Sequence, residues 1–353
     1  GRLGIYDVQA VVGQGGRGVV FRAFDEQLRR TVAIKVLNRQ LASSPVARRR
    51  FIREARAVAG IKHGNVITVY AVEESQNCPF LVMEYVEGCS LRDHINRHRH
   101  LRPIEVVQLS QGIAAGLAAA HAQGVIHRDI KPSNIMLEEG GLRVKITDFG
   151  LARAAVDNVD LTSQGAAVGT AAYMSPEQVN GDPIDLRSDL FSLGCVMYAM
   201  VAGHSPFQGR NSLDIACKVA DYHPPPLEKT HEGTPPMLSE IVSRLLEKKP
   251  DRRFQSATEV AEVLNRYLTI LNQTPTDEMS MVLRTTRLPR RFQRRWFRWA
   301  VAAAAMVLIV VLGALLFRPG GKGEPGTTPG TGPIEPASAG PAPAAAPPLI
   351  TVG

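Results

Sequence analysis

His127-Arg128-Asp129-Ile130-Lys131-Pro132-Ser133-Asn134 places an acid, a cation and an amide within eight residues, directly after the apolar turn Gly124-Val125-Ile126. Fourteen residues past Asn134 stands Asp148-Phe149-Gly150, which closes a strand-like run from Leu142 to Thr147. Two acids and an amide so spaced suit the holding of a hydroxyl and metal ions around a triphosphate. Asp129, Asn134 and Asp148 are therefore the first candidate site residues.

Working outward, the chain before this segment reads as strands and the chain around it as helices. Tyr6 to Val12 and Val19 to Phe24 flank a glycine turn, and Thr31 to Leu37 follows. Ser44-Pro45 predicts a helix start, with serine as N-cap and proline at the first helical position; Gly60 predicts its stop. Two further strand-like runs cover Val66 to Val72 and Phe80 to Tyr85. Pro103 to Gln123 then carries Val106, Leu109, Ile113, Leu117 and Ala120 at helical steps, ending at Gly124. Strands first and helices later in one continuous unit predict an α+β domain of two lobes.

Gly13-Gln14-Gly15-Gly16-Arg17-Gly18 joins two of the strands. Glycines let a backbone approach phosphates closely. A dinucleotide fold would need a helix next, yet Val19 to Phe24 reads as a strand, so a lid over a nucleotide fits better. Lys35 lies inside the apolar strand Val32-Ala33-Ile34-Lys35-Val36-Leu37, where a lysine can simply snorkel from an edge. Glu54 changes that reading. It shares a helix face with Phe51, Ala55 and Val58, and an acid there needs a partner. Lys35 is one partner and Arg50 a competing local one. The Lys35 pair would aim the ammonium at α- and β-phosphate oxygens.

The 353-residue chain carries a formal charge of +8, but the charge is not spread evenly. Residues 1 to 283 hold 32 Lys and Arg against 31 Asp and Glu, which leaves no basic stripe for nucleic acid. Arg284, Arg287, Arg290, Arg291, Arg294, Arg295 and Arg298 supply most of the excess. Beyond them, Trp299 to Phe317 is a run of 19 uncharged, mostly apolar residues without polar periodicity. As a helix it would reach about 28 Å, close to the hydrocarbon thickness of a bilayer. The arginines before it predict a single pass with the N-terminal side cytoplasmic, and the aromatics Trp296, Phe297 and Trp299 sit at interface depth. No secretory signal precedes the run, which is read as the targeting element itself.

Residues 318 to 353 contain nine Pro and eight Gly and are expected to form a disordered extracytoplasmic tail. The expected organisation is a folded domain over 1–271 (small lobe about 1–86, large lobe about 87–271), a basic linker over 272–298, the membrane helix over 299–317, and the tail. A segment upstream of Gly1 and a sensor beyond Gly353 are left open. The cysteines Cys78, Cys89, Cys195 and Cys217 have no metal-ligand spacing and suit a reducing compartment.

Taken in order, Gly13/Gly15/Gly18, Val32-Ala33-Ile34-Lys35, Glu54, His127-Arg128-Asp129 with Asn134, Asp148-Phe149-Gly150 and Ser175-Pro176-Glu177 resemble the protein-kinase superfamily. More narrowly, the chain resembles the eukaryotic-like transmembrane serine/threonine kinases of bacteria, over roughly residues 5 to 270. The resemblance implies a bilobal fold with a β-rich N-lobe and a helical C-lobe. It implies a membrane-anchored enzyme that moves the ATP γ-phosphate to protein serine and threonine hydroxyls with Mg2+, or Mn2+, as the metal.

By that resemblance Asp129 would orient the substrate hydroxyl and accept its proton, and Lys131 would steady the γ-phosphate. Asn134 and Asp148 would hold the metal. Met83 matches the gatekeeper, Glu84 and Val86 offer backbone groups to adenine, and Val20, Ala33 and Met136 sandwich the ring. Asp189 matches an acid bracing the catalytic loop, and Glu177 with Arg253 a buried ion pair. Thr170 matches the threonine that bonds Asp129 and Lys131. Arg128 sets a cation beside Asp129, so phosphate on Thr162 or Ser163 would order the loop, which predicts autophosphorylation there. Ala302 to Ala305 and Gly313 offer small residues for close helix approach, hence a homodimer phosphorylating in trans.

Two departures are visible. Ser175 replaces a usual alanine, and Gly64 replaces a usual proline in His63-Gly64-Asn65, which is expected to loosen the loop behind Glu54. The competing readings are a catalytically silent ATP-binding scaffold and a small-molecule phosphotransferase on a related fold.

Overall fold

The computed structural model describes residues 1–15, 18–38, 42–75, 78–140, 142–149 and 168–273. The small lobe is a six-stranded antiparallel sheet with a helix packed on it. Its strands are β1 (Arg2–Leu3), β2 (Tyr6–Gly15), β3 (Gly18–Asp25), β4 (Arg30–Leu37), β5 (Val69–Ser75) and β6 (Cys78–Glu84), in the order β1-β2-β3-β4-β6-β5. The period-2 alternation of β4 builds two cores. Val32 and Ile34 pack with Tyr6, Ala23, Phe80 and Val82 on one face. Ala33 and Leu37 pack with Leu81, Met83 and Phe51 on the other, beneath helix α1 (Pro45–Ala59). Lys35 has the parity of Ala33 and Leu37, so it lies on the α1 face.

Helix α1 starts where the sequence indicates: the Ser44 side chain accepts the Ala47 N–H, and Pro45 opens the first turn. β5 begins three residues later than expected. Val66 instead forms an isolated parallel bridge with Ile146 of the large lobe. Ile67 N–H donates to Ile146 O at 2.9 Å, and Ile146 N–H donates to Asn65 O at 2.8 Å. These bonds bind the loop after α1 to the opposite lobe. The loosening expected of Gly64 is thereby corrected: its neighbour Asn65 is held, with Nδ2 also donating to Val144 O.

The large lobe opens with β7 (Gly88–Ser90), α2 (Leu91–His98) and α3 (Pro103–Ala122). Strands β8 (Ile135–Glu138) and β9 (Val144–Ile146) join β7 in a three-stranded sheet, so the expected strand over 142–147 is real but shorter. α3 turns Gly112 and Gly116 toward β9. A Cβ on Gly112 would stand 2.7 Å from Val144 Cγ2, and one on Gly116 2.8 Å from Ile146 Cδ1. The two glycines make the slot in which Asn65 and β9 sit.

The remaining α-helices among the described residues are α4 (Val168–Ala171), α5 (Pro176–Asn180), α6 (Leu186–Ala202), α7 (Ser212–Asp221), α8 (Leu227–Thr230), α9 (Pro236–Leu245) and α10 (Ala257–Gln273). α6 is buried from Ser188 to Val201 and forms the axis of the lobe. The bilobal α+β expectation holds. Among the described residues no helix is long and apolar enough to cross a membrane. The membrane run 299–317, the basic linker from 274 on, the tail, Gly16, Gly150, Thr162 and Ser163 lie outside the described residues.

Candidate active site

The loop after α3 is held from below by one carboxylate. Asp189 Oδ2 accepts the His127 N–H and Oδ1 the Arg128 N–H, both at 2.8 Å. His121, at the end of α3, adds a third bond, Nε2 to Asp189 Oδ2 at 2.8 Å. From the side, Gln178 Nε2 donates to Arg128 O at 2.9 Å. Gln178 is itself fixed by a capping box with Ser175. These ties hold Arg128 at φ 63°, a left-handed conformation costly for a residue with a Cβ.

The His127 ring is buried and lies against Phe149, tilted at 48° with 4.6 Å between centroids. Asp129 N–H donates to Nδ1 and Nε2–H donates to Thr147 O, which assigns the neutral tautomer. Burial pushes its pKa below the ordinary range, in keeping with that assignment.

Above this base the expected residues meet. Lys131 Nζ lies 2.9 Å from Asp129 Oδ2 and 3.2 Å from Thr170 Oγ1. Asn134 Nδ2 donates to Asp129 O at 2.8 Å and to Oδ2 at 3.2 Å. The amide thereby points its nitrogen at Asp129 and leaves Oδ1 as the atom to offer a cation. Asp148, at φ 59°, places Oδ1 2.7 Å from Lys35 Nζ. Burial alone would lift the Asp148 pKa, but the Lys35 ammonium outweighs it and holds the carboxyl below its usual range. Asn134 and Asp148 supply hard oxygen donors, the set that suits Mg2+ or Mn2+.

The Lys35–Glu54 pair is not formed, which corrects that expectation. The Asp148 carboxylate occupies the ammonium, while Glu54 faces a cavity of about 180 Å³ lined by Arg53, Val58, Val125, Arg128 and Phe149. Glu54 Oε2 is buried without a hydrogen-bond partner. Burial raises its pKa, and the nearby Arg53, Arg128 and Arg50 charges offset only part of the rise.

The nucleotide-facing candidates gather on the small lobe and the hinge. Ala33 pairs across the sheet with Met83, and Val20 packs on the same cluster. Gly15 pairs with Gly18 at the mouth of the glycine turn. Gly18 has φ 154°, and a Cβ there would fall 2.0 Å from Val36 O, so only glycine fits. Gly13 has no such demand, its nearest neighbour being Val20 at 3.7 Å. Glu84 ends β6, Val86 follows in the hinge, and Met136 sits on β8 across the cleft.

Farther off, Arg253 Nη1 and Nη2 reach Glu177 Oε1 and Oε2 at 2.7 and 2.8 Å, a buried bidentate pair. Ser188 Oγ donates to Glu177 as well. Sequence reasoning missed His121 and Gln178. His121 gave one signal, a polar residue at the inner end of an apolar helix. Gln178 gave another, the Ser-x-x-Gln spacing of a capping box.

Comparison with known proteins matches residues 6–265 to the protein kinase domain family. The chain is 38% identical over 265 residues to the serine/threonine-protein kinase PknB of Mycobacterium leprae, covering 74% of this chain and 42% of that one. It is 38% identical over 275 residues to the probable serine/threonine-protein kinase PknB of Bifidobacterium longum, covering 75% and 40%. It thus spans about two fifths of the length of both curated relatives. Among solved structures, the kinase domain of PknI from Mycobacterium tuberculosis superposes with a TM-score of 0.60 at 26% identity, covering 74% of this chain and 95% of that one.

Proposed function

Because the chain belongs to the protein kinase domain family, we propose that it transfers the γ-phosphoryl group of ATP to serine and threonine hydroxyls of proteins. One observation carries the reading: Lys131 Nζ and Asn134 Nδ2 converge on Asp129, with Thr170 on the same lysine. Asp129 would accept the hydroxyl proton, since it presents a carboxylate oxygen at the bottom of the cleft. Lys131, beside it, would place its ammonium near the transferred phosphoryl. Lys35 would move from Asp148 to phosphate oxygens and to Glu54 when nucleotide enters. Asn134 and Asp148 would hold the metal, and bound Mg2+ would neutralise charge on the phosphate oxygens.

The finer features belong to the same proposal. Thr162, and secondarily Ser163, would be autophosphorylated, the phosphate meeting cationic groups such as Arg128. Residues 299–317 would anchor the protein in the cell membrane with the kinase on the cytoplasmic side. The small residues of that span would support a homodimer.

The test is incubation of the full chain, in detergent, with γ-labelled ATP, Mg2+ and a serine- and threonine-containing protein substrate. Label is expected on serine or threonine of substrate and on residues 151–174 of the chain itself. Incorporation no greater than that of D129N would leave the scaffold reading in its place. Extraction of the chain from membranes by alkaline carbonate would remove the anchor.

A further inference from the structure

β9 does more than complete a small sheet. Its residues Val144-Lys145-Ile146 lead through Thr147 directly into Asp148, the candidate metal ligand. Alternation sends Val144 and Ile146 to one face, into the Gly112–Gly116 slot of α3. Lys145 goes to the other face and is 9% exposed, an unusual place for an ammonium. There Nζ lies 2.8 Å from Glu84 Oε1 and 3.0 Å from Oε2, with Glu138 farther off at 3.9 Å.

Glu84 is the last residue of β6 and the first of the hinge. Its Oε2 also accepts the Thr68 N–H at 3.2 Å, and its own N–H donates to Thr68 O at 2.9 Å. The carboxylate is thus shared between a backbone group of the small lobe and a lysine of the large lobe. One side chain spans the hinge, and its partner sits three residues before Asp148.

We propose that Lys145 is a positioning residue: through Glu84 it fixes the distance between the adenine seat at the hinge and the metal seat at Asp148. The inference rests on the kinase reading of the site and adds a role for a residue that touches neither substrate nor metal. A nucleotide is one connected span from base to phosphate, so its two ends bind well together only when the two seats are correctly spaced. Loss of the ammonium also strands the Glu84 carboxylate in a partly buried place, which pushes the hinge outward. The base end then still binds, while the metal-assisted phosphate end falls out of register.

The readout is coupling, not activity alone. Affinity for ATP is measured on the full chain by calorimetry, once with EDTA and once with Mg2+, for wild type, K145M, K145R and the charge exchange E84K/K145E. In K145M the metal-free affinity is expected within twofold of wild type, and the gain conferred by Mg2+ is expected to shrink about tenfold, a typical coupling between sites. K145R and the charge exchange are expected to regain most of the gain, because each restores an ion pair across the hinge. An unchanged Mg2+ gain in K145M overturns the proposal. So does an equal loss with and without metal, or failure of both restoring variants. Should K145M not fold, E84Q, which keeps an acceptor for Thr68, answers the same question. A wild type that binds no ATP under either condition would instead remove the kinase reading on which the proposal stands.

Discussion

The Lys35 ammonium lies 2.7 Å from Asp148 Oδ1, and the acid expected to hold it, Glu54, stands elsewhere with a buried, unpartnered oxygen. The candidate metal ligand Asp148 is therefore engaged by one of the protein's own cations. On the proposed reading, entry of a magnesium–nucleotide complex would compete for that bond, with Glu54 as an alternative partner for Lys35.

Glu54 makes the first prediction. Its folded pKa is raised, by burial ahead of the arginines around it, so the folded form takes up a proton that the unfolded chain releases. The penalty of a charged Glu54 is full above the raised pKa and vanishes as pH falls toward the unfolded value of about 4.3. Urea denaturation from pH 7 down to about 4.5 should show wild type gaining stability relative to E54Q as pH falls. An unchanged difference would show that the carboxylate is not buried.

Asp129 makes the second. D129N keeps the shape of the side chain and removes the carboxylate proposed to accept the proton. Turnover is expected to fall by about 10²–10⁴, while thermal denaturation shows a folded protein with near-native midpoint. Residual turnover within a few-fold of wild type would assign the proton to another group.

Glu177 makes the third, with the opposite pH sign from Glu54. Burial opposes its charge, but Arg253 and Ser188 outweigh burial and lower its folded pKa. The stability it lends is present above the unfolded value of about 4.3 and is lost as pH falls through the lower folded value. Removing one partner of such a buried pair costs about 3–5 kcal/mol, so E177A and R253M should each be strongly destabilised in urea. A loss below about 1 kcal/mol would place the pair among weak surface contacts.

Gly116 makes the fourth. Alanine there would gain about 1 kcal/mol of helix propensity, yet its Cβ would stand 3.0 Å from Asn65 O and 2.8 Å from Ile146 Cδ1. Overpacking of this kind costs about 1–3 kcal/mol, so G116A is expected to lower the melting temperature rather than raise it. A higher midpoint would mean that the Asn65 loop yields.

What was legible in the sequence was local. The Ser44-Pro45 start of α1, the alternation that puts Lys35 on the α1 face, and the acid, lysine and amide of the loop at 127–134 each depend on neighbours a few residues away. What was not legible depends on distance along the chain. Whether Lys35 meets Glu54 or Asp148 is decided by where α1 rests on the sheet, which no short pattern encodes. The late start of β5 has the same origin, since Asn65 and Ile67 spend their backbone groups on Ile146 in the other lobe. Lys145 did leave a trace: like Lys35, it is a lone lysine within an apolar strand, and the same question of its partner applied.

Among the described residues, Asp189 (itself bonded by His121), Gln178 and Thr147, all of the large lobe, hydrogen-bond the loop at 127–134. On the proposed reading, the loop half of the site would be built before nucleotide arrives, and the half on α1 and β4 would still have to be set. An inhibitor that grips only that loop half would then meet the same surface in both states and bias neither. Under the proposed reading, selective control of this chain would come through α1 and the hollow beside Glu54, where Lys35 would change partner.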